Sequence, residues 1–305
     1  MMGYIDFKAA AGEKDHSQVR VDLIDKVYDH LKLPDSTFLG TRITKKMLID
    51  NNELSSHDKK LVTDVIQSIE WRNTLKPDTV NISIYATDTV EYLEVAVIRV
   101  VLKAGKKHKD RLTNITKLLH TLIPYPVVLL AELQDELAIS LADKRINQAD
   151  KTKLVIEHIY NSDWLHAEKL SNNENDFLND FSLANISSLN YFELYQDLIS
   201  MLIGLKASRI SGNYESKNSS ISQSTNKPEA QVGSEKNGTS TSSDFSEKSN
   251  EYKTALLQKL EGLEAELASI RNKLKKETQM NIKLRLNVEA QKIKQEIAAI
   301  RNELK

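Results

Sequence analysis

From Ser208 to Asn250 the chain holds 13 serines in 43 residues and few large apolar side chains. Such a stretch has too little apolar surface to offset the entropy lost on ordering, so no packed core can run through it. It predicts a flexible Ser-rich linker over residues 208–250, between a globular body at residues 1–207 and a helical tail at residues 251–305. By the random-coil rule the two ends of such a linker lie about 35 to 40 Å apart, which lets the flanking bodies work on different partners.

The first body reads as α+β. Leu23, Ile24, Val27, Tyr28 and Leu31 recur at helical spacing ahead of Pro34, which predicts a helix over about 19–32. Two further helices are expected over 41–51 and 57–68, the second capped by Ser56. The period then changes to that of strands over 69–75, 80–84 and 91–103, and the nearly continuous apolar run of the third places it centrally in a sheet. A crossover helix over 107–122 ends at Pro124 and Pro126, and strands over 127–133 and 136–141 follow. The segment 153–160 fits strand and helix equally, and a covering helix is expected over 191–206. The sum is a mixed sheet with N-terminal helices and one crossover helix.

In the tail, Leu256, Leu260, Leu263, Leu267, Ile270 and Leu274 follow a 4-3-4-3-4 rhythm, and so do Leu286, Ala290, Ile293, Ile297, Ile300 and Leu304. Each is a coiled-coil seam. The seams are 12 residues apart, out of phase on one straight helix, and the middle around Met280 is polar. An antiparallel hairpin resolves the slip by pairing Leu274 with Leu286; a continuous helix with a stutter is the alternative. Either form leaves an apolar seam that the chain itself, a second copy or a partner helix can fill.

Composition narrows the chemistry. Lys and Arg total 42 against 43 Asp and Glu, so no global field draws in nucleic acid or membrane, and any such contact must run through a local patch. No cysteine is present, which removes disulfides, thiolate metal sites and cysteine nucleophiles. The first residues lack the apolar run of a signal peptide and nothing later is apolar enough to span a bilayer, so the expectation is a cytoplasmic protein. No phosphate-cradling glycine loop, nucleophile elbow or zinc-type histidine pair occurs.

Three places remain. The order helix, three strands, helix, strand between His57 and Leu133 is that of the restriction-endonuclease-like core, in which a Pro-Asp and a Glu-x-Lys hold a divalent cation. Pro77-Asp78 offers the first part and Glu94 the second carboxylate, which would implicate Mg. The lysine is missing, since the triplet reads Glu94-Val95-Ala96, and Lys103 or Lys144 would have to reach in. Pro-Asp is also a common turn dipeptide. The loop with Lys106, Lys107, Lys109 and Arg111, and the pair Lys144-Arg145, offer phosphate contacts or plain solvated charge.

The succession FLGTRITKKML, TLKPDTVNI, EYLEVAVIRVVLK, LIPYPVVLLAEL, LAISLADKR, SDWL and NYFELYQDLISMLIGL, with KKETQMNIKLRLNVEAQKIKQEI in the tail, resembles the bacterial domain-of-unknown-function family 4391. The likeness covers about residues 31–205 plus the tail, and the segment 1–18 and the linker look like departures from it. Family members look to be encoded beside helicases and DNA methyltransferases of restriction-type, antiphage clusters, so the resemblance implies a part in DNA-directed defence. It implies no catalytic residues. The function expected is a non-catalytic adaptor without a cofactor that docks a helicase or DNA methyltransferase. The competing expectation is a divalent-metal nuclease, active or degenerate.

Overall fold

A strand that is apolar on both faces needs cover on both sides. The computed structural model describes residues 22–50, 54–151, 153–216 and 249–304. In chain order its elements are helix α1 (Leu23–Leu31), strand β1 (Phe38–Ile43), α2 (Lys45–Asp50), α3 (Ser56–Asp64), β2 (Ile66–Leu75), the short turn α4 (Pro77–Val80), β3 (Tyr85–Ala86), β4 (Glu91–Tyr92) and β5 (Val95–Leu102). There follow α5 (Lys106–Lys109), α6 (Leu112–Leu122), β6 (Val127–Leu133), β7 (Glu136–Ile146), β8 (Leu154–Asn161), β9 (Leu165–His166), α7 (Asn172–Asp180), α8 (Tyr191–Ser211), α9 (Asn250–Lys276) and α10 (Met280–Glu303).

The main sheet runs β1-β2-β5-β6-β7-β8, with β9 also on β7. Neighbours are antiparallel except β5 and β6, which are parallel and joined by α5 and α6. Alternation along β5 and β6 sorts the core into two halves. Val95, Val97, Val128 and Leu130 face α1, α7, α8 and the tail. Ala96, Ile98, Val100, Val127 and Leu129 face α2, α3 and α6.

Helix α8 is apolar nearly all round. Leu198, Ile199, Met201, Leu202 and Ile203 are all buried, which points side chains in every direction around its axis. The sheet covers one side, while α7 and α9 pack on the others. The tail is the predicted hairpin: residues 277–279 join α9 to α10, and the Glu277 carboxylate accepts the backbone N–H groups of Thr278 and Gln279 at 2.8 Å. The Tyr252 hydroxyl bonds Glu303 at the open end, and Arg301 bonds Glu264 at 2.8 Å.

Several boundaries differ from expectation. Residues 41–51 are not one helix: Phe38–Ile43 is the edge strand β1, and the Thr44 hydroxyl accepts the Met47 N–H, so α2 starts only after it. Residues 80–84 form no strand, because Pro77 starts a helical turn, Thr79 accepts the Lys76 N–H at 2.9 Å, and Asn81 turns the chain with φ of 53°. The ambiguous segment at 153–160 is strand β8. Helix α8 runs on to Ser211, and Tyr214 packs on Phe177 and donates to Asp180 at 2.9 Å, so folded chain continues past 207. The N-terminal segment and most of the expected linker lie outside the described residues.

One polar contact pins a helix to each face of the sheet. β6 and β7 pair from Leu129–Ser140 to Leu133–Glu136. Two residues farther along both strands the buried Tyr195 hydroxyl of α8 takes over, donating to the Val127 carbonyl at 2.8 Å and accepting the Ala142 N–H at 3.0 Å. On the other face the buried His120 of α6 meets Ser140 of β7, Nε2 to Oγ at 3.0 Å, while its Nδ1 has no partner. Burial first, and the Lys144 charge second, push the His120 pKa down to about 3.

Two outcomes are expected. Tyr195→Phe keeps the ring but leaves a buried carbonyl and a buried N–H unpaired, so it should cost about 2 to 4 kcal/mol, read as a lower urea midpoint at unchanged slope. An unfolded His120 binds a proton near pH 6.5 that the folded protein excludes until about pH 3, so His120 makes stability fall as pH drops through that window. His120→Gln keeps a donor for Ser140 and removes the titration; its melting temperature should therefore fall less than that of the unaltered protein between pH 7 and pH 4.

Candidate functional site

Asp78 and Glu94 are brought to the same end of the sheet, just past the last residue of β2 and just before the first of β5. Asp78 is exposed on α4; Glu94 is ion-paired with Lys76 at 3.6 Å. Between their fields stands the Tyr191 hydroxyl, buried and without a hydrogen-bond partner, and held above the usual phenol range by burial first and then by the charges of Asp78 and Glu94. The lysine beside Glu94 is Lys76, two residues before Asp78 in the chain, which sequence reasoning passed over. Lys103 does not join them. It lies beyond the far end of β5, about 30 Å from Glu94 at the rise of an extended strand, with Nζ on the Thr63 carbonyl at 2.8 Å. Among the described residues no group of three or more His, Asp or Glu side chains is set to hold a metal ion.

The basic loop is largely consumed by its own neighbourhood. His108 Nδ1 meets the Lys103 carbonyl at 2.7 Å, and Lys109 pairs with Glu136 at 2.5 Å. Arg111 is exposed at the start of α6, and the side chains of Lys106 and Lys107 lie outside the described set. Arg145 pairs with Glu157 at 2.5 Å. Lys144 is 5 % exposed, and its Nζ donates to the carbonyls of Ile123 and Tyr125, both at 2.6 Å. It ties down the turn that the two prolines make after α6. Burial pushes its pKa down to about 7.

The seam expected to receive a partner is filled from within. Leu260, Leu267, Ile270, Leu286, Ile293, Ile297, Ile300 and Leu304 are buried in one core with α8, and Leu256, Leu263 and Leu274 pack half-buried against it. A polar chain fixes the base of the hairpin to the domain. Asp143 accepts from Tyr160 at 2.7 Å and from Gln196 at 2.8 Å, and Asn250 at the start of α9 donates to the Gln196 carbonyl and side chain at 3.0 and 3.1 Å. Burial raises the Asp143 pKa, and those two hydrogen bonds oppose the rise. Gln258 meets His158 at 3.1 Å, and Lys206 faces Glu261 at 3.8 Å.

The opposite end of the hairpin is bare. Met280, Leu284 and Val288 are 80, 68 and 52 % exposed, and their four-residue spacing lines them up along α10. Around them, residues 271–285 hold six Lys or Arg and one Glu. Lys273, Lys275 and Lys276 complement the C-terminal dipole of α9. Lys283 lies near the N-terminus of α10, where cations are disfavoured and no acidic residue occupies the first turn, and its charge interacts with the Glu277 carboxylate of the connection. The face can hold an apolar surface ringed by negative charge.

Among the described residues no helix is long and apolar enough to cross a membrane. No curated protein and no solved structure matches the chain significantly. The model of the family described as Domain of unknown function (DUF4391) matches residues 31–236, a span that takes in the whole main sheet with α8 and leaves the hairpin outside; with well over half of the chain matched, the protein belongs to that family.

Proposed function

We propose that the protein is a non-catalytic docking subunit whose hairpin tip receives an acidic, apolar-faced segment of a partner protein. The observation that carries this reading is the contrast along the hairpin. Its seam and base are buried on α8, while Met280, Leu284 and Val288 stand exposed among a surplus of cations. Exposed apolar stripes rimmed by charge are typical of protein contacts, and the charge sets the sign of the partner. Nucleic acid is disfavoured because the tip, residues 271–288, carries no aromatic side chain on which a base could stack. The partner class follows the setting expected of the family: a helicase or DNA methyltransferase of a DNA-directed defence system.

A second reading is favoured by Lys76, which supplies beside Glu94 the cation that the linear motif lacked. Two carboxylates can hold a Mg²⁺ ion that keeps part of its water shell, and a lysine can steady the attacked phosphate. That makes a divalent-metal nuclease the alternative.

The two readings part in two experiments. Co-expressed with the helicase or methyltransferase encoded beside it, the protein should co-purify. Lys283→Glu combined with Leu284→Asp should weaken that association at least about tenfold at unchanged melting temperature, because both side chains lie outside the buried seam. Retention of the partner by this variant, or tight salt-dependent binding of duplex DNA at the tip, would overturn the docking reading. In Mg²⁺ or Mn²⁺ the docking reading expects no cleavage of duplex DNA; cleavage that falls by about a hundredfold or more in Asp78→Asn and in Glu94→Gln would establish the nuclease instead.

A further inference from the structure

A cleft of about 770 Å³ opens between α3, α6 and β8 on the face of the sheet away from the hairpin. Its charge is one-sided. Lys117, Lys144 and Lys153 line it against a single carboxylate, Asp58. That carboxylate is already engaged at the start of α3, where it accepts from the Ser55 hydroxyl at 2.7 Å while the Asp58 N–H donates to Ser55 Oγ at 3.1 Å. Lys153 also meets Asp150 at 3.1 Å but remains 72 % exposed. The cleft is therefore positive, and concave sites of this size take small organic ligands.

The inner wall carries two unspent polar groups. Lys144 uses two of its three N–H donors on carbonyls, at 2.6 Å each. His120, 1 % exposed, has one ring nitrogen on Ser140 and the other without a partner. A buried ring nitrogen left unpaired costs stability, and such exceptions call for a reason. The rest of the wall is mostly aliphatic, including Leu118, Pro124, Leu154 and Ile156, with His57, Asn114 and Thr121 as further polar groups and no Phe, Tyr or Trp.

We infer that this cleft binds a phosphomonoester of about nucleotide size, its phosphate held by Lys117 and Lys153 at the rim and Lys144 at the inner wall, with His120 as a further hydrogen-bonding group. Three ammonium groups match the three terminal oxygens and double charge of a phosphate monoester, whereas a carboxylate would leave one cation unanswered. The buried cation supports this assignment: an ammonium whose charged form burial disfavours gains most from a dianion beside it. Free nucleotides and the 5′-phosphorylated ends of polynucleotides present the same group.

The test is calorimetric titration of the full chain with orthophosphate, adenosine monophosphate, acetate, and one oligonucleotide with and without a 5′-phosphate, followed by thermal melting. Adenosine monophosphate or the 5′-phosphorylated oligonucleotide should bind, and at a hundredfold excess over Kd should raise the melting temperature by about 5 °C. Whichever of the two binds more tightly names the source. Lys117→Gln with Lys153→Gln, at solvent-facing positions, should weaken binding about tenfold or more at unchanged fold. Lys144→Met should do so too, and if it fails to fold, the rim variant decides. No binding by any phosphate probe at about 10 mM, equal affinity for acetate or for the unphosphorylated oligonucleotide, or full binding by the rim variant overturns the assignment.

Discussion

Helix α8 is buried over most of its circumference, and that constrains the rest of the chain. A helix with Leu198, Ile199, Met201, Leu202 and Ile203 all buried has to be surrounded. The sheet can supply one wall only. The second comes from α7, whose Phe177 and Phe181 enter the same core, and the third from α9. The hairpin is in this sense part of the domain's packing, even though the matched family span ends before it. Its own seam and its contact with α8 are one continuous apolar cluster, so opening the hairpin and undocking it would expose surface on both sides at about 25 cal/mol per Å².

Apolar packing of this kind is tolerant of small shifts, and the polar contacts set the register. Tyr195 places α8 where β6 and β7 part, because its hydroxyl answers one carbonyl and one N–H at once. Gln196, the next residue, ties Asp143 of β7 to Asn250 of α9. Two adjacent side chains on one helix therefore fix the helix to the sheet and the hairpin to the helix. On the opposite face His120 and Lys144 hold α6 and the turn after it against β7. Each of these groups is costly to bury and cheap to satisfy in one geometry only, which is how a few hydrogen bonds select one arrangement of a core that hydrophobicity alone would leave loose.

Long periodic elements were legible in the sequence, and contacts were not. The stripe of α6, the runs of β5 and β6 and the two seams of the tail each carry a period that survives any context. The edge strand β1 was missed because all its residues but Ile43 are exposed, so burial imposes no alternation on it, and Gly40 breaks it with a φ of 60°. Helix α7 was missed although Ser171 and Glu174 form a capping box that could have announced it. At the candidate site, Asp78 and Glu94 do lie at one end of the sheet, but Lys76 and Tyr191 had no signal to join them. Lys76 is a turn residue in sequence, and Tyr191 comes from a helix 97 residues after Glu94.

Charge shows the same gap between counting and availability. The loop from 103 to 111 and the hairpin tip from 271 to 285 look alike as strings of Lys and Arg. In the first, Lys103 and Lys109 close on a carbonyl and a carboxylate of the domain, so the charge is spent on structure. In the second, two helix ends meet; the dipole of α9 accounts for Lys273, Lys275 and Lys276, and that of α10 opposes Lys283. Lys283, held where its own helix disfavours it and next to an exposed leucine, has the one carboxylate of the tip, Glu277, to share with five other cations. The docking function proposed above rests on that surplus of charge beside an exposed leucine, which a negative, apolar partner surface would answer.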